Sequence, residues 1–599
     1  MPRALAPRRT NDAVDGDDAV ADRRRRAAAA LAILLVAMVV APLLVTASGV
    51  IDAGWVPSGD EAVIVTRVDD IASSDAPLVG AYSTRGFSHP GPILYYALAV
   101  PHWLSGGNPS ALLAATALIN AAAVAAIGWV AWRRGGLGLV TVTVVGLALL
   151  EHGLRPDTLV WFWNPFAPML PYVLFLLAAW SVAVRDWRLL PVAVAMGSVV
   201  AQLHVTYVPL TGAAAVVVGV WLATHRRRAP DTDRAPRHAL VLAGAVGLAL
   251  WLPVLVDLVA GRHNLLRIVA YFALGRGESI GTDGLGILGR HLGPTGPWAG
   301  GAEQVLFGSV LPGSTMPLTG AVAALGVLTV AAARRRHVAT PLLLLVEAQL
   351  AVAALASTRI EVPVFAYLVV WMLPLAMVVW VSGVWATGSV LVLPALRRRW
   401  PSDHRRLGIA AAVAAAVVLA GLPLVRTGAS WVDPSLPRQQ DAAAVTSVVG
   451  QLSAELPQGA RLRVEPVGDP LAESGQGVIG GLIASGYTVY TSDGARTDKW
   501  GATRTWREQA VDTTLTVVVV PSNSEPTLVA GCRAMPGAEL VAYHDGLTED
   551  ERGELSFLFT VRYLQAGALE PDAAARLDAL IARDLRIAVF EAPGVCAQA

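Results

Sequence analysis

The quartet Ser58-Gly59-Asp60-Glu61 sets two adjacent carboxylates just beyond a long apolar run. Ser58 and Glu61 stand three apart, the spacing of a capping box, so a helix starts here. On one reading they cap that helix and Asp60 complements its dipole. On the other, Asp60 is a general base. Arg67 lies seven residues on, on the same helical face, and an arginine holds a carboxylate ionised and oriented, ready to take a proton from a hydroxyl. Asp69-Asp70 follow as a solvated helix end or as ligands to a hard cation. A divalent cation is the one cofactor these residues admit, and the rest of the chain adds no clear ligand cluster.

Further chemistry-bearing residues recur between apolar runs. His89 precedes the aromatic stretch Pro90-Gly91-Pro92-Ile93-Leu94-Tyr95-Tyr96. A later segment reads Glu151-His152-Gly153-Leu154-Arg155-Pro156-Asp157. There Asp157 is an acid with Glu151 and His152 behind it, and Arg155 suits a phosphate. Trp161, Phe162, Trp163 and Phe166 line a sugar or lipid slot or, as the preferred reading, form an interfacial belt. Gln202 and His204 face a cavity or bond between helices. Arg262, His263 and Arg267 are cations for a lipid phosphate or for anionic headgroups. Arg359 and Glu361 pair with each other, and Glu347 is an isolated acid packed against another helix.

The elements that position these groups are mostly membrane spans. The 599 residues are 54% hydrophobic and 15% charged, with a mean hydropathy of +0.54. That is a polytopic α-helical membrane protein. Eleven spans are expected, at 27–49, 109–132, 137–152, 169–184, 189–206, 207–224, 238–260, 305–333, 338–356, 364–392 and 407–425. Arginine clusters at 23–26, 133–134, 185–188, 226–228, 334–336 and 397–406 fall at alternate ends of these spans. By the positive-inside rule the N-terminus is cytoplasmic, and 50–108, 153–168, 261–304 and the tail are outside. The first apolar run lacks a clear cleavage site and reads as a retained helix. Residues 1–26 form a cytoplasmic tail, and the apolar stretch 90–104 lies in the membrane interface. Net charge is +1, which offers no footing for nucleic acid.

From about 427 to 599 polar residues return. Strand-like runs at 461–467, 487–491, 515–521 and 586–591 alternate with helical patterns at 438–456, 475–485 and 572–585, giving an extracytoplasmic α/β domain. The two cysteines, Cys532 and Cys596, suit a disulfide in an exported domain. Leu, Ala, Val and Gly dominate while Lys is almost absent, which points to a high-GC, actinobacterial genome.

In its membrane part, about 27–425, the chain resembles the GT-C superfamily of polyprenyl-phosphate-sugar transferases, and within it the protein mannosyltransferase and aminoarabinose-transferase-like branch. Asp60-Glu61 match the family's Asp-Glu pair after the first span. His89 to Tyr96 match its lysine-led stretch KPPLLYW in shape, with His89 where the family has lysine. The resemblance implies a GT-C-like fold and a catalytic outer loop at 50–108. It implies Asp60, Glu61 and Asp157 as catalytic carboxylates, and Arg67, His89, Arg155, Arg262, His263 and Arg267 about a donor phosphate. Tyr95, Tyr96, Gln202 and His204 line the cavity. The implied activity moves a mannose- or arabinose-like sugar from a polyprenyl phosphate to a glycan, lipid or protein acceptor at the outer face of the plasma membrane. The rival readings are a non-catalytic scaffold of envelope assembly and a transporter or flippase. The tail is expected to cover the site and to carry no catalytic group.

Overall fold

The computed structural model describes residues 12–596 apart from 155–157, 226–234, 275–276, 301–309, 311, 400–412, 420, 422–435, 437, 469–472 and 523–526, and 565–568. Among these, seven helices are long and apolar enough to cross a membrane. They are Asp12–Val50, Ser110–Gly153, Tyr207–Thr224, Arg237–Ala260, Met316–Arg334, Ala339–Ser357 and the helix that begins at Met372. Arg237–Ala260 exposes Leu240, Val241, Leu242, Leu248 and Leu252, as a helix facing lipid does. Met169–Ala183 is buried along its whole length at the centre of the bundle.

The expected spans map closely but do not all reach crossing length. Spans 109–132 and 137–152 form one run, Ser110–Gly153, divided by the non-helical backbone of Gly136. Spans 169–184 and 189–206 are the shorter helices Met169–Ala183 and Leu190–Leu203, below the roughly 20 residues that a crossing needs. The stretch 90–104 contains the helix Ile93–Leu104, also too short to cross. Span 305–333 is helical from Met316, and 407–425 lies largely outside the described residues. Glu347 accepts the Thr329 hydroxyl at 2.6 Å, so it is held against the preceding helix.

The C-terminal part is a five-stranded mixed sheet in the order β2-β1-β3-β5-β4. Its strands are β1 (Arg461–Gly468), β2 (Thr488–Tyr490), β3 (Thr513–Val520), β4 (Glu539–Asp545) and β5 (Arg586–Glu591). β1 runs parallel to β2 and β3, and β5 runs antiparallel to β3 and β4. Side chains alternate between faces along a strand. Leu515, Val517 and Val519 of β3 pack on one face with Leu462, Val464, Ile587 and Val589. Val518 packs on the other with Ala588, Phe590, Cys532 and Cys596. The strand missed from sequence, β4, is a sheet edge in which Ala542 alone is buried.

Cys532 and Cys596 form a disulfide with Cα atoms 5.2 Å apart, closing 64 residues around β4 and β5. A loop of that length stabilises a fold by about 4 kcal/mol in the chain-entropy account. Cys532→Ser is therefore expected to lower the unfolding midpoint of the sheet domain, read by thermal melting with and without reductant. Reductant should lower the wild-type midpoint and leave that of the variant unchanged.

The seam between the two parts is the helix Gly59–Asp69. Its Ala62 and Val63 belong to the core of the sheet domain, while Ile64, Val65 and Val68 belong to that of the membrane helices. The helix Glu473–Ala484 (ESGQGVIGGLIA) lies directly on it. A Cβ on Gly480 would stand 3.0 Å from that of Ala62, so small residues set this close approach.

Candidate active site

Asp60 and Glu61 open the seam helix and point to different partners. Asp60 Oδ1 accepts the Tyr82 hydroxyl at 2.5 Å, and Oδ2 accepts the Trp163 indole N–H at 2.7 Å. Two donors leave this carboxylate fixed and acceptor-only. Burial and the Asp60 charge push the Tyr82 phenol well up, which keeps it a donor. Glu61 is fully buried, accepts the Trp161 indole N–H, and pairs with Arg438 through Nε at 2.8 Å. Arg438 also pairs with Glu473, and its guanidinium lies 5.8 Å and 5.7 Å from the Trp161 and Trp163 ring centroids. Gly59 makes room for it: its φ is +58°, and a Cβ there would stand 2.9 Å from the guanidinium carbon.

The capping box does not form. Ser58 donates instead to Asp441 and to the Glu473 carbonyl, both at 3.2 Å, because the sheet domain covers this helix end. Glu61 is turned inward to Arg438. The expected Asp60–Arg67 pairing is also absent. Arg67 sits in the last turn, where it pairs with Asp70 and donates to the Asp75 carbonyl at 2.9 Å. Asp69 and Asp70 diverge: Asp69 meets His102 at 2.6 Å, while Asp70 takes Arg67 and Arg504. No group of three acidic, histidine or cysteine residues is arranged to hold a metal among the described residues.

His89 is not placed as a cation. Burial lowers its basicity well below the usual histidine range, with His204 adding to the effect. Its Nδ1 accepts the Val205 backbone N–H at 3.1 Å, and its ring stacks on His204 at 4.5 Å. Gln202 donates to the Leu250 carbonyl at 2.9 Å and packs on Gly91. Tyr95 is buried, and Tyr96 donates to the Pro77 carbonyl at 3.3 Å. Arg262 and Arg267 both donate to the Arg496 carbonyl, at 3.3 and 3.0 Å, and Arg262 pairs with Asp498. They fasten the sheet domain rather than stand open to a ligand. His263 bonds the Leu258 carbonyl at 2.8 Å. Arg155 and Asp157 lie outside the described residues. Glu361 pairs with Arg85 at 2.7 Å and takes the Tyr271 hydroxyl, in place of the expected Arg359 pairing.

Trp161 and Trp163 are therefore more than a belt, since their indoles hold the two carboxylates. Sequence reasoning missed Tyr82, Arg85 and Arg438. Two indoles two apart, in the segment after a candidate acid, were the available signal for the tryptophans. Nothing local marks Arg438.

Burial pushes the Glu61 carboxyl up to about 6, with Arg438 pulling against it. A raised acid favours folding fully below its unfolded value, 4.5, and loses that contribution as pH rises through about 6. The difference is worth about 2 kcal/mol. In thermal melts from pH 4 to 8, the stability of wild type relative to Glu61→Gln is expected to fall by that amount across this window. A gap that stays constant would remove Glu61 as the titrating group.

No protein-family model and no curated protein sequence matches the chain. Solved structures do. The crystal structure of ArnT from Cupriavidus metallidurans bound to undecaprenyl phosphate superposes with a TM-score of 0.51 at 15% identity, covering 85% of this chain and 96% of that one. The chain has an ArnT-type fold. The apo state of the same protein gives a TM-score of 0.50 at 16% identity, over 86% and 96% of the two chains. The likeness takes in most of both chains, and at this identity it shows the fold alone.

Proposed function

We propose that this chain is an integral membrane glycosyltransferase that moves a sugar from a polyprenyl phosphate to a hydroxyl of an envelope acceptor. The observation that carries the reading is Asp60, held by Tyr82 and Trp163 beside the Glu61–Arg438 pair on the seam of an ArnT-type fold. The solved relative bound to undecaprenyl phosphate supports a lipid-linked donor.

In the proposed reaction the acceptor oxygen attacks the anomeric carbon. The bond from that carbon to the phosphate oxygen breaks, and polyprenyl phosphate leaves with the electron pair. Asp60 takes the acceptor proton. One displacement inverts the anomeric configuration. Glu61 and Arg438 fix the start of the helix that carries Asp60. Arg85 is the cation proposed for the donor phosphate, since its side chain is 47% exposed. Tyr367, whose ring lies tilted against Trp163 at 5.2 Å, feels the charges of both Asp60 and Arg85. A phosphate that displaced Glu361 from Arg85 would be held by a charge-assisted bond as charge develops on it. The reaction lies on the outer face, the sugar is mannose- or arabinose-like, and the acceptor is a glycan, a lipid or a protein.

The test separates transfer from transport. Proteoliposomes holding the chain and a polyprenyl-phosphate sugar with label in the sugar are given envelope extract as acceptor. Loss of label from the lipid with release of polyprenyl phosphate supports the reading. Intact labelled lipid moved between leaflets would replace it with a transporter.

A further inference from the structure

The chain contains one lysine and 45 arginines. The lysine is Lys499, in the loop between β2 and β3, and it is buried at 5% exposure. Its Nζ pairs with Asp493 at 2.9 Å and lies 4.2 Å from the ring centroid of Tyr82, the residue whose hydroxyl bonds Asp60. The sheet domain thus sets a cation over the ring that holds the proposed base.

We infer that Lys499 is a positioning residue for the transfer reaction and acts on Asp60 through Tyr82. The inference rests on the glycosyltransferase reading. Its loop is fastened to the membrane part by Arg504–Asp70 at 2.8 Å, by Thr503 to Asp75 at 3.0 Å and by Arg262–Asp498. Asp493 fixes the ammonium from one side and also takes the Trp500 indole N–H at 3.1 Å. The remaining side faces the Tyr82 π-system, where a cation is attracted by the ring quadrupole. Gln476, from the helix Glu473–Ala484, donates to the Tyr82 oxygen at 3.5 Å. Tyr82 is therefore clamped by two groups of the sheet domain while its proton points at Asp60. An ammonium is a compact point charge, whereas guanidinium is a broad planar fork. A chain that meets its other needs for a cation with arginine uses lysine where a compact charge must fit between the Asp493 carboxylate and the rings of Tyr82, at 4.2 Å, and Trp500, at 6.0 Å.

The test uses the full-length chain in proteoliposomes. Lys499→Met is compared with Lys499→Cys before and after alkylation with 2-bromoethylamine, which restores an ammonium at nearly the lysine length. Both native cysteines are in the disulfide, so the introduced thiol is the reactive one. The expected result is binding of polyprenyl phosphate, read by tryptophan fluorescence, within twofold of wild type. Transfer is expected to fall about tenfold in kcat for Lys499→Met, with most of that loss recovered on aminoethylation of Lys499→Cys. An at least tenfold loss of lipid binding would make Lys499 a ligand of the donor and overturn the positioning role. Unchanged binding with unchanged kcat would also overturn it. If wild type transfers nothing, the glycosyltransferase reading falls, and a second readout judges the contact itself. 3-Fluorotyrosine at position 82 is expected to shift its fluorine resonance in Lys499→Met and to return after aminoethylation of Lys499→Cys. A resonance identical throughout would show that Lys499 does not govern Tyr82.

Discussion

Asp60→Asn is expected to lower sugar transfer by about a thousandfold while leaving fold and lipid binding intact. The size follows from the role, since a positioned general base contributes on the order of 10² to 10⁴ in rate. The retained fold follows from the site. An asparagine can turn its oxygen to the Trp163 indole N–H and its amide to the Tyr82 oxygen, because a phenol accepts as well as donates. Both contacts survive and only the basicity is lost. The comparison needs transfer rates alongside melting curves and polyprenyl phosphate binding for the same preparations. Loss of binding together with rate would show that the residue holds the donor and is not the base.

Arg438→Met is the second large effect. It leaves Glu61 buried beside Asp60 without its cation, and Glu473 without the same partner. Breaking a buried pair by removing one side costs about 3 to 5 kcal/mol. Transfer is expected to fall about a hundredfold, because Glu61 and Arg438 fix the first turn of the helix that aims Asp60. Arg438→Lys should recover little, since an ammonium cannot lie flat beside both Trp161 and Trp163 while reaching Glu61 and Glu473. The double variant Arg438→Met with Glu61→Gln removes both charges and is expected to regain at least half of the lost stability, measured by thermal melting. No regain would mean that the loss comes from packing on the tryptophans and not from the stranded charge.

These two residues show what the sequence makes legible. Asp60 and Glu61 stand out because paired carboxylates just beyond a long apolar run are rare in a chain of this composition. Their partners do not. Trp161 and Trp163 can be read from sequence as a belt, and only the packing of the helix Gly59–Asp69 brings their indoles onto carboxylates a hundred residues earlier. Arg438 is one arginine among 45, and what makes it part of the site is the docking of the sheet domain. The family resemblance sets His89 at a donor phosphate, in the place of a lysine, but its charge is decided by burial and by His204, neither of which the proline-aromatic stretch encodes. Arg262 and Arg267 read from the sequence as cations for a phosphate or for anionic headgroups. Their ligand, however, is the loop that carries Lys499. The fold was more legible than the site, because hydrophobic periodicity is local, whereas a site is assembled from distant segments. The strand β4 escaped because its apolar run, Leu540 to Tyr543, is short and is flanked by charged residues.

The most direct test is a transfer assay with purified wild-type chain in proteoliposomes, given a panel of polyprenyl-phosphate sugars with label in the sugar and an envelope acceptor extract. The account predicts that one donor loses its label to the acceptor, with release of one polyprenyl phosphate for each sugar moved. Folded protein that binds polyprenyl phosphate yet moves sugar from no donor in the panel would contradict it.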